Sequence, residues 1–240
     1  MRLREEFLSI ASHEIRTPMT TITGFAHLLS RQLARDTIDE ARVDMLTGRL
    51  LHEAERLNLI VTDLLDVSRI QQGQLDLRPE RCALANLARQ VVDRMSAAQE
   101  RTNRREIIVE ASAPVAGEWD STWLDQVLTN LISNALKYST DGPIRVTVEK
   151  DEDGESAMLT VRDHGVGIPK EQQARLFEPF VRGDTAHHSS SGAGLGLYIT
   201  RQIVEGHQGA VTLESNPGDG TVFTVRLPLR RAPEPVQTGS

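Results

Sequence analysis

The strongest constraint on the fold is an apolar repeat with a spacing of seven in residues 39–72. Its main positions are Val43, Leu50, Leu57 and Leu64. Further apolar residues, Leu46, Ile60 and Val67, fill the intermediate positions. The charged residue Glu53 interrupts this second series. Apolar side chains at this spacing predict a long helix with a coiled-coil-like seam.

A second long helix is predicted just before this one. Residues 5–35 contain a single glycine, Gly24, and a single proline, Pro18. The connection between the two helices has the sequence ARDTIDEA and offers Asp36, Thr37 or Asp39 as the N-cap of the second helix. The sequence therefore predicts a helical hairpin over residues 1–75. A lone hairpin buries little apolar surface, so we expect two copies to form a dimeric four-helix bundle.

The pattern changes after QQGQLDLRPE, which contains Gly73 and Pro79. We place a linker at 76–82, a second domain at 83–230 and a disordered tail at 231–240. Helices are predicted at 84–98 and from Ser121, taken as an N-cap, and a strand at 105–111. Two hairpins are predicted, PIRVTVEKDEDGESAMLTVRD and AVTLESNPGDGTVFTVRLP. This order of helices and strands is typical of an α+β two-layer sandwich.

Charge and composition narrow the class of protein. The formal net charge of −7 argues against a general nucleic-acid binder. The single cysteine, Cys82, excludes an intrachain disulfide and fits a reducing compartment. No apolar run approaches the roughly 18 residues that a membrane span requires. We expect a soluble cytoplasmic protein, or the cytoplasmic part of a larger sensor.

The motif SHEIRTP places a histidine on the first helix. At about 100° per residue, His13 lies opposite an apolar stripe formed by Phe7, Ala11, Ile15, Pro18, Ile22, Phe25, Leu29 and Leu33. The neighbouring Glu14 can hold the imidazole in a nucleophilic form, and the Thr17 hydroxyl, one turn further on, can position a water molecule. The position of His13 on the helix does not by itself show that it is reactive. His27 lies on the same face, so His13 could equally be a solvated side chain. A zinc-protease helix is excluded, since Thr17 stands where the second histidine is required.

Two glycine clusters point to close approach of the backbone to a ligand. They are DHGVGIP at 163–169 and GAGLGLYI at 192–199. Neither is a Walker A loop or a dinucleotide fingerprint, and either alone could be a turn. Asn130 and Asn134 lie one helical turn apart, with Lys137 close by. Amide oxygens suit Mg²⁺ and an ammonium group suits phosphate, although the asparagines could instead cap neighbouring loops.

Taken together, the chain resembles the catalytic core of bacterial sensor histidine kinases. Five motifs occur in the family's order over roughly residues 5–230: SHEIRTP, NLISNALKYS, DHGVGIP, LFEPFVRG and GAGLGLYI. The resemblance implies a dimeric four-helix bundle followed by an ATP-binding sandwich of the Bergerat type, shared by gyrase, Hsp90 and MutL. It implies ATP and Mg²⁺ as ligands, and as partners an upstream sensor and the receiver domain of a response regulator.

The resemblance also implies roles for individual residues. His13 corresponds to the phosphorylated nucleophile, Glu14 to its base and Thr17 to the residue that supports dephosphorylation of the regulator. Asn130 corresponds to the Mg²⁺ ligand, and Asp163 to the carboxylate that accepts a hydrogen bond from the adenine amino group. The remaining nucleotide-binding positions would be Asn134, Lys137, Tyr138, Gly165, Gly167, Phe177, Phe180, Arg182, Gly192, Gly194, Leu195 and Gly196.

Two positions depart from the family pattern. His164 replaces the commoner asparagine of the first glycine box, and Ala193 stands where threonine or serine is frequent. We expect these changes to retune contacts with the nucleotide at most. Two rival functions stay open: a net phosphatase of the regulator that uses Thr17, and an ATP-gated structural module that forms no phosphohistidine.

Overall fold

The computed structural model describes residues 2–34, 37–99, 105–181 and 193–230, with side chains from residue 9 onward. Within these ranges the chain divides into two compact units. One comprises 2–73 with 193–196, and the other 74–181 with 197–230. Among the described residues, no helix combines the length and apolar character that crossing a membrane would need.

The first unit contains the predicted helical hairpin. Helix α1 spans Arg2–Leu33 and continues through Pro18, and helix α2 spans Glu40–Gln71. Of the three N-cap candidates, the structure selects Asp39, whose carboxylate accepts a hydrogen bond of 3.1 Å from the backbone N–H of Arg42. This bond satisfies one of the N–H groups that every helix leaves unpaired at its start.

In the seven-residue repeat of α2, the intermediate positions face the interior of the hairpin, whereas the main positions Val43, Leu50, Leu57 and Leu64 are half-buried. Leu46, Ile60 and Val67 are buried, and α1 buries Ala11 and Pro18. The predicted α1 stripe differs at its end. Leu33 is 52% exposed, whereas the adjacent Gln32 is buried. The sequence pattern had predicted the reverse, with the apolar Leu33 buried.

The second unit is built on a mixed five-stranded sheet in the order β2–β4–β5–β7–β6. Among the strands that the structure describes, β2 and β4 pair parallel and the other neighbours in this sheet pair antiparallel. The five strands are β2 (Ile107–Glu110), β4 (Ile144–Lys150), β5 (Ser156–Asp163), β6 (Ala210–Asn216) and β7 (Gly220–Pro228). Both hairpins predicted from turn residues are present, as β4–β5 and β6–β7.

Four helices accompany the sheet: α3 (Leu84–Ala98), α4 (Ser121–Tyr138), α5 (Lys170–Gln173) and α6 (Gly196–Gly206). α3 and α4 pack against each other and against the strands β2, β4 and β5. The interior is aliphatic, as in Leu128 and Leu159, which are fully buried. The helical hairpin and the α+β sandwich predicted from the sequence are thus both confirmed.

The N-cap of α4 was predicted wrongly. Asp120, not Ser121, caps the helix, because its carboxylate accepts hydrogen bonds from the backbone N–H groups of Thr122 at 3.0 Å and Trp123 at 3.2 Å. Ser121 is the first helical residue, and its hydroxyl donates to Glu80. Aspartate and serine are comparable caps, so residue type alone does not fix the boundary.

A two-stranded ribbon was not predicted. Strand β1 (Glu80–Ala83) pairs antiparallel with β3 (Ala116–Trp119). β1 begins inside the range predicted as linker. The ribbon is joined to the main sheet by the buried Trp119, whose indole N–H donates to the Pro228 carbonyl at 2.8 Å. Four-residue strands are too short to show a clear alternation, so only long-range pairing identifies them.

Candidate functional site

His13 lies on an exposed face of α1, in the first unit. Its side chain is exposed, as are those of His27 and His52, so exposure does not distinguish it from these histidines. Its neighbours do distinguish it. Glu14 is half-buried beside it, and Pro18, one turn further on, is buried. The exposed imidazole is therefore accessible to a bulky phosphate donor.

The hydroxyl of Thr17 lies directly above His13 on the same helix. It donates a hydrogen bond of 3.2 Å to the backbone carbonyl of His13. Thr20 and Thr21 donate in the same way to the carbonyls four residues before them. A hydroxyl bonded in this way keeps acceptor capacity. Thr17 can therefore still accept a hydrogen bond from a water molecule near His13.

In the second unit, the polar residues predicted on one helix face lie on α4. Asn130 and Asn134 are half-buried one turn apart, and Lys137 is exposed near the helix end. The Lys137 ammonium lies 4.9 Å from the centre of the Tyr138 ring, a cation–π contact. The ring thus holds the positive charge beside the polar face of α4.

Asp163 ends β5 with a buried carboxylate. Its Oδ1 accepts a hydrogen bond of 2.8 Å from the backbone N–H of Gly165, and the backbone N–H of Thr221 donates to the same side chain. Burial raises the pKa of Asp163 above its ordinary value, and these two hydrogen bonds and the nearby His164 oppose the rise. The result is an oriented carboxylate at the end of the central strand of the sheet.

The first glycine box lies against the end of α4. Gly165 pairs with Ser139, and a Cβ atom at Gly165 would collide with the backbone carbonyl of Tyr138. Gly167 has a φ of +69°, and a Cβ there would collide with the carbonyl of Asn216. Only glycine allows both the close approach and the left-handed backbone. The box therefore brings Asp163 next to Tyr138 at the C-terminal end of α4.

Sequence reasoning missed Thr221 as a site residue. In the sheet register Thr221 pairs with Asp163, and its hydroxyl lies 3.1 Å from that of Ser215. Ser215 in turn accepts a hydrogen bond of 2.9 Å from the backbone N–H of Ile168 in the glycine box. The sequence analysis placed Thr221 at the start of the second strand of a hairpin and gave it no role in the site. A threonine directly after a glycine-rich turn was the available signal, but its partner is distant in sequence.

The motif LFEPFVRG, which we call the phenylalanine box, follows α5. The Phe177 ring meets that of Phe223 on β7 edge to face, with centroids 6.4 Å apart and planes at 90°. Phe180 has a φ of +64°, an unusual conformation for a residue with a large side chain. This box is therefore fixed to the sheet at Phe177, and its backbone changes direction at Phe180.

The described residues of the second glycine box are divided between the units, with 193–196 in the first and 197–199 in the second. Gly194 has a φ of +72°, Leu195 is fully buried, and α6 begins at Gly196. The two other predicted ligand residues of this region, Arg182 and Gly192, lie outside the described residues.

The described residues contain no group of three or more His, Cys, Asp or Glu side chains that could hold a metal ion by itself. They do offer hard donors of the kind that Mg²⁺ accepts, the amide oxygens of Asn130 and Asn134. Mg²⁺ is commonly bound by one or two protein groups together with phosphate oxygens and water. The residues present fit an ion of that kind, delivered with a polyphosphate.

Within the second unit, the arrangement suits a purine nucleotide. A buried carboxylate can accept a hydrogen bond from an exocyclic amino group, and the amides and ammonium of α4 can meet phosphate and its metal ion. The first unit supplies an exposed imidazole beside a carboxylate and a hydroxyl.

Comparison with known families gives two matches. "His Kinase A (phospho-acceptor) domain" matches residues 3–73. "Histidine kinase-, DNA gyrase B-, and HSP90-like ATPase" matches residues 119–231. The two matches fall on the hairpin and on the sandwich respectively.

Among curated proteins, the chain is similar to the sensor histidine kinase RcsC of Escherichia coli (strain K12). The two are 35% identical over 240 residues, which covers 97% of this chain and 24% of RcsC. The alginate biosynthesis sensor protein KinB of Pseudomonas aeruginosa is 34% identical over 229 residues, covering 95% of this chain and 37% of KinB. The chain thus spans between about a quarter and just over a third of these relatives.

Solved structures agree in fold over most of the chain. The Acinetobacter baumannii histidine kinase AdeS matches with a TM-score of 0.70 and 25% identity, covering 90% of this chain and 98% of that one. Full-length ShkA in complex with AMPPNP matches with a TM-score of 0.68 and 28% identity, covering 97% of this chain and 47% of ShkA.

Proposed function

Because the chain belongs to the sensor histidine kinases, we propose that it phosphorylates His13 with Mg·ATP and passes the phosphoryl group to an aspartate of a response regulator. The observation that carries this proposal is the presence in one chain of an exposed histidine in a matched phospho-acceptor domain and a buried carboxylate in a matched ATPase domain. The domain bounds proposed are 1–75, 76–82 for the linker and 83–230.

Asp163 is the proposed determinant of adenine recognition. Its oriented carboxylate accepts a hydrogen bond from the adenine amino group, whereas guanine presents a carbonyl oxygen at that position and would be repelled. Gly165 and Gly167 shape the pocket, and Tyr138 and the two phenylalanines of the phenylalanine box line the region around it. ShkA, a similar protein, was solved with the ATP analogue AMPPNP, which supports a nucleotide here.

Asn130 is the proposed Mg²⁺ ligand, and Asn134 and Lys137 are proposed to bind phosphate. Bound Mg²⁺ would neutralise charge on the phosphate oxygens. Arg182 and the glycines at 192, 194 and 196, with Leu195, complete the proposed phosphate cradle. In the described structure, the contact between Lys137 and Tyr138 keeps the ammonium close to α4 and supports this assignment.

The chemical step is an in-line displacement at the γ-phosphorus. A ring nitrogen of His13 attacks, a P–N bond forms, and the bond to the β,γ-bridging oxygen breaks. ADP leaves with the bonding electron pair, and Glu14 accepts the proton that the imidazole releases. Lys137 stabilises the charge that develops on the phosphoryl oxygens.

Thr17 supports a second candidate activity, removal of phosphate from the regulator. Its exposed hydroxyl lies one helical turn from His13 and can orient a water molecule toward a phosphoaspartate docked there. Decay of a phosphorylated regulator, measured with the wild type and with Thr17→Ala, tests this activity. An equal decay rate for the two proteins would exclude Thr17 from it.

The proposed partners are a second copy of the chain, a receiver domain and an upstream sensor, in the cytoplasm. Several apolar side chains of α2 are exposed in the single chain, which supports dimerisation. Leu51, Leu59 and Leu65 are 58%, 65% and 56% exposed. Exposed leucines on a long helix are costly unless a partner covers them.

Incubation with γ-labelled ATP tests the kinase assignment. Wild-type protein should acquire an acid-labile, base-stable label, and His13→Gln should acquire none. His27→Gln is the matched control, since His27 is an equally exposed histidine on α1, and it should be labelled like the wild type. Label on His13→Gln would refute the assignment. ATP hydrolysis without any phosphohistidine would instead favour an ATP-gated structural module.

A further inference from the structure

Three segments distant in sequence meet at the start of the second unit. They are residues 74–79, which join α2 to β1 and which we call the linker from this point, the N-terminus of α4 and the C-terminus of α6. We call the hydrogen-bonded group of Arg78, Asp120 and His207 the linker joint. None of its members belongs to the motifs that the proposed function uses.

Asp120 is the centre of the linker joint, and it is buried. One carboxylate oxygen, Oδ1, caps α4 by accepting from the N–H groups of Thr122 and Trp123. The other oxygen, Oδ2, accepts a hydrogen bond of 2.9 Å from the backbone N–H of Arg78 in the linker. One side chain therefore serves both the helix and the linker, through separate atoms.

His207 connects the same point to α6. The backbone N–H of Asp120 donates to His207 Nε2 at 3.0 Å, and His207 Nδ1 lies 2.8 Å from the carbonyl of Ile203. Because Nε2 accepts, the proton must be on Nδ1, which donates to that carbonyl. His207 is buried, so both bonds are shielded from water.

The linker also packs on α6 directly. A Cβ atom at Gly206 would collide with Leu75 and contact Leu77 at 3.2 Å. The absence of a side chain at Gly206 thus lets the linker lie on the end of α6. The linker is held by its backbone at Arg78 and by apolar contact at Leu75 and Leu77.

We propose that Asp120 and His207 are positioning residues that couple the linker to nucleotide binding. This inference rests on the proposed function, since α4 carries Asn130, Asn134 and Lys137 and α6 begins at Gly196. A packed helix moves as a nearly rigid body, so a displacement at one end shifts residues at the other. The coupling is reciprocal: if the linker influences nucleotide affinity, nucleotide must influence the linker.

Asp120→Asn separates the two tasks of the carboxylate. Asparagine is as good an N-cap as aspartate, so its Oδ1 can still cap α4. Its amide NH₂ would then face the N–H of Arg78, placing a donor against a donor, and the bond to the linker is lost. Arg78→Ala is the matched control. It keeps the backbone N–H and removes only a side chain that is 84% exposed.

Amide hydrogen exchange on the full chain tests the coupling, with and without a non-hydrolysable ATP analogue and Mg²⁺. In the wild type and in Arg78→Ala, saturating analogue should slow exchange of the Arg78 amide by about fivefold or more, the lower end of typical coupling between sites. In Asp120→Asn the analogue should still bind, yet leave exchange in residues 74–79 unchanged. Bound analogue without any change in the wild-type linker would overturn the proposal.

Failure of the proposed nucleotide site, on which this inference rests, gives a different result, since the wild type would then bind no analogue at all. A second comparison uses His207. His207→Gln retains an acceptor for the Asp120 N–H, whereas His207→Leu does not. Relative to the wild type, His207→Leu should raise the KM for ATP by about fivefold with a smaller change in kcat. The KM of His207→Gln should lie close to that of the wild type. Equal KM values for the two variants would contradict the role of His207.

Discussion

At the scale of the single residue, Asp163 combines two opposing influences. Burial favours its neutral form, and hydrogen bonds from two backbone N–H groups favour its charged form. The net effect raises its pKa, so the carboxylate protonates at a higher pH than an exposed aspartate. Perturbed carboxylates of this kind are frequent at functional sites.

Nucleotide affinity should therefore fall as the pH is lowered from neutrality, beginning above the ordinary aspartate pKa of 3.8. The ionised carboxylate can accept a hydrogen bond from the adenine amino group through either oxygen. Protonation turns one oxygen into a donor and so reduces the capacity of the side chain to accept. Titration of a fluorescent ATP analogue at several pH values measures this. Asp163→Asn should bind more weakly and with a flat profile over the same range. A parallel loss in both proteins would assign the pH dependence to another group.

Gly165→Ala should weaken nucleotide binding by about tenfold or more and lower the free energy of unfolding by about 1–3 kcal/mol. The added methyl group would strike the Tyr138 carbonyl and push the glycine box away from α4. The control is Gly48→Ala, where a Cβ atom meets nothing within 4 Å in the middle of α2. That change should instead stabilise the protein by about 1 kcal/mol. Thermal unfolding and nucleotide titration distinguish the two outcomes.

At the scale of the element, α2 carries a half-buried carboxylate, that of Asp63. Burial, and to a smaller extent the negative charge of Asp66, raise the pKa of Asp63 from 3.8 to about 6. The folded protein therefore holds a proton on Asp63 between these values, where the unfolded chain has lost it. Since stability falls with pH wherever the folded state binds more protons, Asp63 makes the hairpin less stable as the pH rises from about 4 to about 6.

Asp63→Asn should remove this loss and stabilise the protein at neutral pH by about 3 kcal/mol at most, because one pKa unit corresponds to about 1.4 kcal/mol. Asp44→Asn changes an exposed carboxylate on the same helix and should have little effect. Urea unfolding at pH 4.5 and pH 7.5 measures both. A variant that is as pH-dependent as the wild type would show that Asp63 is not the group responsible.

The predicted boundaries of helices and strands agree with the structure only where the signals that set them are local in the sequence. The bounds of α3 agree with its predicted range because its apolar positions and its flanking turns are both local signals. The ribbon of β1 and β3 escaped prediction because each strand has four residues and is recognised only by its partner. The N-cap of α4 was misplaced by one residue, since Asp120 and Ser121 are both good caps and only backbone geometry separates them.

At the scale of the whole molecule, the hairpin exposes leucines that a monomer has no means of covering. Leu51 and Leu65 lie two heptads apart on the same face of α2, with Leu59 between them, and all three are largely exposed. These exposed leucines offer apolar surface for a self-complementary contact. The proposed dimer buries such surface in a symmetric interface.

Leu59→Glu combined with Leu65→Glu should convert the dimer to a monomer, because two buried carboxylates per chain would oppose association. Sedimentation velocity over a range of concentrations measures this. Lys150→Glu changes the charge at an exposed position of the second unit and should leave the dimer intact. A double variant that sediments like the wild type would locate the interface elsewhere.

The amino-acid sequence by itself determined the local features: the seven-residue repeat, the two turn-marked hairpins and the order of the five motifs. Each depends on residues that are close in the chain. Only the tertiary structure decided that Thr221 pairs with Asp163 and that His207 meets Asp120, which are separated by 87 positions. It also decided that the linker joins that point through Arg78, 42 positions before Asp120. Pairings of this kind arise from sheet register and helix packing, which no local pattern encodes.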